Sequence, residues 1–276
     1  MILATVFWGA SYLITKWALQ EISTVSFLFF RYAVASVSLV PLFLLHPISL
    51  NKKLIKQGIY LSLLQTIVMF GQTMGLATIS ASLSSFVTGF YIVFGLLIRF
   101  FVTKKLPDVF DMLTSAMCLG GLGLLTNSFG ATDLGGVGYT FLGALFIAIY
   151  IYVLDRYVTP ATAFTLTFLQ MVGIMTSFGC VLLLQHDTFQ FPHQLSTWGA
   201  IMLAGLGCSS LAHFLHAKAQ PKLGAFKVSI ILMLEPVFAT LFAYWGLDER
   251  LYPMSFVGIG MILIAIAAIN WRLKKI

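Results

Sequence analysis

Glu235 has the strongest chemical claim in this chain, because it stands with Pro236 near the middle of the apolar run LGAFKVSIILMLEPVFATLFAYWGLDERL, Leu223 to Leu251. About twenty apolar residues cross one bilayer, and an acidic side chain at mid-depth costs roughly 2.5 to 3.5 kcal/mol on insertion scales. Such an acid has to face a polar cavity or partner inside a helical bundle, or carry a proton. Pro236 has no amide hydrogen for the carbonyl of Leu232, so an acceptor is freed and the helix bends at the depth of the acid. A bent helix with an acid at its bend can build a ligand site; the plainer alternative is a satisfied packing residue.

Other polar side chains within about three turns of the middle of an apolar run form a short set. They are Trp8, Ser11 and Tyr12, then Gln65 and Gln72, Tyr91, Tyr150 and His213, with Lys227 nearer the inner end of the run that holds Glu235. Aromatic rings with a polar tip stack on a ligand while one hydroxyl or amide orients it. Gln65 and Gln72 are seven residues apart and fall on one helix face, where they either hydrogen-bond a zwitterion or sugar or tie down a neighbouring helix. Core packing is the alternative for Tyr91 and Tyr150, and a close-packed pair with Gly9 is the alternative for Trp8. His213 stands three residues before His216; it either exchanges a proton with Glu235 or serves as a structural histidine at the inner mouth. No Cys or acid stands at ligand spacing in that segment, so no metal site is expected. Lys16 and Arg31, placed in the outer thirds of their runs, could meet Asp248 and Glu249 at the same depth and form an external gate. The alternative is that each snorkels separately to the interface, less so for Arg31, whose fork stays buried by bonding carbonyls or carboxylates.

These residues must be positioned by membrane helices. The chain of 276 residues is 59% hydrophobic and 9% charged, against about 25% charged in soluble domains. Its long apolar runs lack the alternation of outer-membrane strands, so an all-α membrane protein is expected. Runs of about twenty residues give ten spans at 2–19, 24–45, 57–77, 83–102, 109–126, 136–154, 161–184, 196–216, 223–246 and 253–271. Connections are short, leaving no extramembrane domain for an independent activity. With the N-terminus inside, Lys52, Lys53, Lys56, Lys104, Lys105, Arg156, Lys218, Lys222, Arg272, Lys274 and Lys275 all fall on the cytoplasmic side. The opposite links, near Glu21, Ser80, Asp133, Asp187 and Arg250, carry little positive charge, so both termini are expected in the cytoplasm. The net charge of +7 thus follows one side of a membrane and implies no nucleic acid. Cys118, Cys180 and Cys208 lie in apolar runs and are odd in number, which argues against a disulfide framework. No cleavable leader is visible before the first span, which is short ahead of Lys16: that lysine snorkels outward, or a few residues are missing upstream.

A weak internal repeat lays GFYIVFGLLIRFFVTKKLP on LEPVFATLFAYWGLDERLY, pairing Tyr91 with Pro236 and Lys104 with Glu249, and lays ASYLITKWAL on IYIYVLDRYV. The expected halves are residues 1–130 and 131–276, each of five spans. An odd number of spans inverts the second half relative to the first, a plan that suits alternating access. No GxxxxGK[ST], HExxH or GxSxG segment occurs, so neither direct use of ATP nor enzymatic chemistry is expected, and no cofactor is implied.

The opening WGASYLITKWAL, the pair Arg31 and Tyr32, the duplicated five-span unit and the segment LGAFKVSIILMLEPVFATLFAYWGLDERL resemble the EamA-type members of the drug/metabolite transporter superfamily over essentially the whole chain. The first half departs from the pattern, with Phe90 and Tyr91 where the second has Glu235 and Pro236, which puts in doubt any mechanism needing equivalent carboxylates in both halves. The resemblance implies a ten-helix bundle with a central cavity lined by spans 1, 3, 4, 6, 8 and 9, and with spans 5 and 10 peripheral. It implies a multi-pass carrier of the bacterial inner membrane that moves a small metabolite, amino acid or drug, often outward. Proton coupling and facilitated diffusion are both open, as is the oligomeric state. A non-transporting membrane subunit and a flippase for lipid-linked substrates are the alternatives; a dry interior would favour the first and a lateral opening the second.

Overall fold

The computed structural model describes residues 1–45, 50–126, 133–184 and 189–273, without the side chains of Thr126, Asn270, Arg272 and Leu273. Asp187, Lys274, Lys275 and the expected boundary at 130/131 lie outside the described residues. The helices run α1 Ile2–Ala18, α2 Thr24–Leu45, α3 Lys52–Thr78, α4 Ala81–Thr88, α5 Tyr91–Thr103, α6 Val109–Thr126, α7 Leu134–Tyr157 and α8 Ala163–Leu184. Then come α9 Leu195–Leu203, a π-helical segment Ala204–Leu211, α10 Ala212–Leu223, α11 Ala225–Leu232, α12 Leu234–Gly246 and α13 Pro253–Leu273. There is no strand among the described residues. Seven segments are long and apolar enough to cross a membrane: α2, α3, Ala81–Thr103, α7, α8, Leu195–Leu223 and Ala225–Gly246. Val109–Leu125 and Pro253–Ile269 are shorter apolar helices, and α1 has 17 residues. This is an all-helical, multi-pass membrane fold.

Local chemistry explains the helix starts. Asn51 caps α3 by accepting from the amide of Leu54 at 2.8 Å, Ser80 caps α4 from Leu83 at 3.1 Å, and Asp133 caps α7 from Gly135 and Gly136 at 2.9 and 3.1 Å. Two crossings are broken. The bend expected before Pro236 lies at Met233, where α11 stops and α12 begins with Leu234, Glu235 and Pro236 in its first turn. The other break, at Gly89 and Phe90 between α4 and α5, has no proline; the Gly89 amide turns back to the carbonyls of Ser85 and Phe86. The π segment interrupts a third crossing, and Gly224, with φ of 74°, makes the turn from α10 into α11.

α6 and α13 pack on each other. A Cβ on Gly258 would strike the carbonyl oxygen of Gly121 and lie 2.7 Å from the Leu125 amide nitrogen, and Ser255 Oγ donates to the Leu125 carbonyl at 2.8 Å. One end of the bundle is tied together by acids bound to backbone amides. Glu21 accepts from His193 and Gln194 at 2.6 and 3.0 Å, and Glu249 accepts from Ala81 and Ser82 at 2.8 and 3.1 Å and from the Ser82 hydroxyl. The Thr197 hydroxyl, with those two amides, holds Glu21 below its ordinary carboxylate range, and the Thr78 hydroxyl with the α7 amides does the same for Asp133. At the other end, Lys52, Lys53, Lys56, Lys104, Lys105, Arg156, Lys218 and Lys222 are exposed.

Candidate functional site

The interior holds a cavity of about 80 Å3, enough for several waters or the polar part of a small molecule. Its wall is drawn from α1 (Trp8, Ser11, Tyr12, Thr15), α2 (Arg31), α3 (Gln65, Gln72 and neighbours), α5 (Tyr91), α7 (Tyr150), α10 (His216), α11 (Leu232) and α12 (Glu235). α6 and α13 contribute nothing to it. Both broken crossings reach the wall at their breaks, Tyr91 as the first residue of α5 and Leu232 and Glu235 on either side of Met233. The polar content follows from helix geometry: Ser11, Tyr12 and Thr15 share one face of α1, and Gln65 and Gln72 share one face of α3.

Most of the polar side chains are held by partners that fix their orientation. Tyr12 Oη donates to Glu235 Oε1 at 3.1 Å, so the acid of the ninth apolar run is bound by the first. Tyr91 Oη donates to the Ser229 carbonyl at 3.1 Å, Tyr150 Oη to Gln170 Oε1 at 2.8 Å, and Gln72 Nε2 to Thr88 Oγ1 at 3.4 Å. Trp8 Nε1 donates to the Cys208 carbonyl at 2.9 Å, and its ring stands edge-on to His213 and His216 at 5.2 and 5.4 Å. Cys208 belongs to the π segment, where the wider turn displaces carbonyls from the regular ladder. Arg31 Nε donates to Ser209 Oγ at 2.8 Å and its Nη1 to Ser11 Oγ at 3.1 Å.

The histidine tautomers follow from these bonds. His213 Nδ1 lies 2.9 Å from the Ser209 carbonyl, an acceptor, so Nδ1 carries hydrogen and Nε2 accepts from Gln65 Nε2 at 3.0 Å. Gln220 Nε2 donates to the Ile151 carbonyl and to Asp155 Oδ1, at 3.2 and 3.0 Å. Its Oε1 is then the acceptor for His216 Nε2–H at 2.8 Å, leaving His216 Nδ1 as a free acceptor. Gln65 Oε1 and His216 Nδ1 are buried and have no hydrogen-bond partner in the structure.

Of the eight side chains expected to touch a ligand, Trp8, Ser11, Gln65, Gln72, Tyr91, Tyr150 and Glu235 line the cavity together. His213 stands behind them, bonded to Gln65 and Ser209 and not to Glu235. The expected external gate takes a different form. Arg31 reaches the cavity wall and bonds two serines rather than Asp248 or Glu249, because the π segment brings Ser209 to it. Glu249 is committed to the N-terminus of α4, Lys16 lies near it without a direct ion pair, and Asp248 is exposed with φ of 55°. Lys227 is partly exposed and outside the cavity wall. Sequence reasoning missed Thr15, Thr73, Ser209, Gln170 and the pair Gln220 and Asp155; of these Gln170, an isolated polar residue in an apolar run, carried a signal that could have been used.

A multi-pass helical protein with two broken crossings at an inner pocket that has polar side chains in its wall has the architecture of a membrane transporter. The chain belongs to the EamA-like transporter family, whose model matches residues 1–127 and again residues 134–271. It is 24% identical over 270 residues to a protein of Archaeoglobus fulgidus named as an uncharacterized transporter, spanning 98% of this chain and 84% of that one. A protein known from a crystal structure shares the fold, with a TM-score of 0.78 over 99% of this chain and 96% of its own at 13% identity.

Proposed function

We propose that the protein is a secondary carrier of small polar or amphipathic metabolites, built from two inverted five-span halves that rock about the central cavity. The observation that carries this reading is the cavity itself, with Glu235 and Tyr91, the residues beside the two helix breaks, in one wall with Trp8, Gln65 and Tyr150. Discontinuous crossings at mid-depth let carbonyls and side chains meet a solute where a regular helix would not. The repeated family match on either side of residues 127–134 supports the two-halved plan, and the peripheral pairing of α6 with α13 supports their role in packing the halves. The exposed bases at one end and the amide-binding acids at the other support ten crossings with both termini in the cytoplasm. The bacterial inner membrane and outward transport rest on resemblance alone.

A groove of about 490 Å3 between α2 and α8, lined by Phe29, Met175, Gly179 and Leu183, shares no residue with the cavity. The test is flux. Purified protein reconstituted in vesicles loaded with a metabolite extract should release specific compounds faster than protein-free vesicles, and Glu235→Ala should abolish the difference. Repeating it with and without a pH gradient separates proton coupling from facilitated diffusion. Equal leakage from protein-containing and empty vesicles would remove the carrier reading.

A further inference from the structure

The charged groups in the cavity wall are not paired with each other. Arg31 is 3% exposed, and its two hydrogen bonds go to neutral hydroxyls, those of Ser209 and Ser11. Glu235, the acid in the same wall, is bonded to Tyr12 and not to Arg31. The direct ion pair of the described residues, Arg99 with Asp111, is elsewhere. A guanidinium stays ionised at any working pH, and burying it without an anion is costly. Its fork has five N–H donors, of which two are accounted for by the serines, and it matches a carboxylate or phosphate edge. A counterion arriving from solution therefore gains an interaction that the protein leaves unfilled.

The remaining polar groups have the opposite character. Gln65 Oε1 and His216 Nδ1, on residues of the same wall, are buried acceptors without a donor, and the carboxylate of Glu235 is a third acceptor beyond its bond to Tyr12. Each unpaired buried acceptor favours an occupant bearing N–H or O–H groups. Rings of Trp8, Tyr91 and Tyr150 supply the apolar sides between.

We infer that the cavity selects compounds carrying one anionic group, anchored by Arg31, together with at least one N–H or O–H donor that reaches Gln65, His216 or Glu235. This deepens the carrier reading by naming a substrate chemistry, and assigns Arg31 to recognition instead of an outer gate. Neutral and purely cationic compounds of the same size are disfavoured, because they leave the guanidinium without a counterion.

The test is equilibrium binding to the full-length protein in detergent, read by Trp emission and thermal shift, with three ring-matched probes: 4-hydroxybenzoate, 4-hydroxybenzamide and 4-hydroxybenzylamine. The benzoate should bind roughly tenfold or more tightly than either other probe, the scale expected of a charge-assisted pair. Arg31→Gln should erase that preference, and Arg31→Lys, which keeps the charge, should retain part of it. Thermal melting without probe shows whether each variant is folded; if Arg31→Gln does not fold, the probe ranking in the wild-type protein and in Arg31→Lys decides. Equal binding of the three probes, undiminished benzoate binding in folded Arg31→Gln, or no benzoate binding at millimolar concentration each overturns the inference. Because the readout is binding, failure of flux would leave it standing, and failure of binding would leave the flux test untouched.

Discussion

Glu249→Ala should loosen the end of the bundle where α12 meets α4. In the structure the carboxylate accepts from the Ala81 amide at 2.8 Å, from the Ser82 amide at 3.1 Å and from the Ser82 hydroxyl, across 168 and 167 residues of chain. It thus acts as a distant cap for a helix start, a role worth about 1 kcal/mol and up to ~2 when well formed. The favourable placement of a negative charge at a helix N-terminus adds ~0.3–1 kcal/mol. Because Glu249 is partly exposed, solvent screening holds the sum to about 2 kcal/mol, roughly a 30-fold change in an opening equilibrium. Glu249→Gln, which keeps one acceptor and loses the charge, should lie about halfway on the energy scale. The assay is labelling of a single cysteine at Leu76, a cavity residue 4% exposed and two residues from the end of α3, by a charged maleimide that cannot cross the membrane. Cys118, Cys180 and Cys208 are first replaced. Labelling limited by brief opening reports the open fraction, so the rate should rise in the order Glu, Gln, Ala. A folded Glu249→Ala protein that labels within about twofold of its parent would refute the reasoning that this contact is a latch.

Other consequences are direct. Gly258→Leu should separate α6 from α13, because its Cβ already meets the Gly121 carbonyl; overpacking of ~1–3 kcal/mol should appear as a lower melting temperature in detergent, whereas Gly260→Leu, with open space at its Cβ, should change little. Tyr150→Phe leaves Gln170 Oε1 buried without its 2.8 Å donor, so a loss of ~1–3 kcal/mol is expected in chemical unfolding. Glu21 and Asp133 have folded values below their ordinary 4.5 and 3.8, so their contribution to stability is full above those values and fades as pH falls through the lowered ones. A melting series on the double variant Glu21→Gln, Asp133→Asn should show a shallower acid limb than the wild type.

The helical class and most of the cavity wall were legible because burial of polar side chains in a membrane is costly enough to leave few candidates. Gln65 and Gln72 share a face because seven residues make nearly two turns, and the bend near Pro236 follows from its missing amide hydrogen. The break at Gly89 and Phe90 was not legible: no proline marks it, and Gly89 packs there against Leu122, a contact 33 positions away that no local pattern records. The π segment was equally hidden, since GLGCSSL reads as an ordinary small-residue helix. That one omission misplaced two residues. Without the displaced Ser209, Arg31 is expected at an outer gate with Asp248 and Glu249, and without the extra turn width His213 is expected on the ligand rather than behind Gln65. Glu249 was read as half of an ion pair because charge pairing can be guessed from residue types, whereas capping a helix 168 positions away requires the fold.

The account depends on water reaching the middle of the bundle beside Glu235. X-ray hydroxyl-radical footprinting modifies buried aromatic side chains where ordered water lies against them, and it needs no substitution. Tyr91 and Tyr150, buried in the cavity wall, and the partly buried Trp8 should be oxidised quickly, while Phe27 and Phe178, 0% and 1% exposed in the apolar packing of α2 and α8, should stay protected. Protection of Trp8, Tyr91 and Tyr150 equal to that of Phe27 and Phe178 would mean a dry interior, and would contradict a carrier built around this cavity.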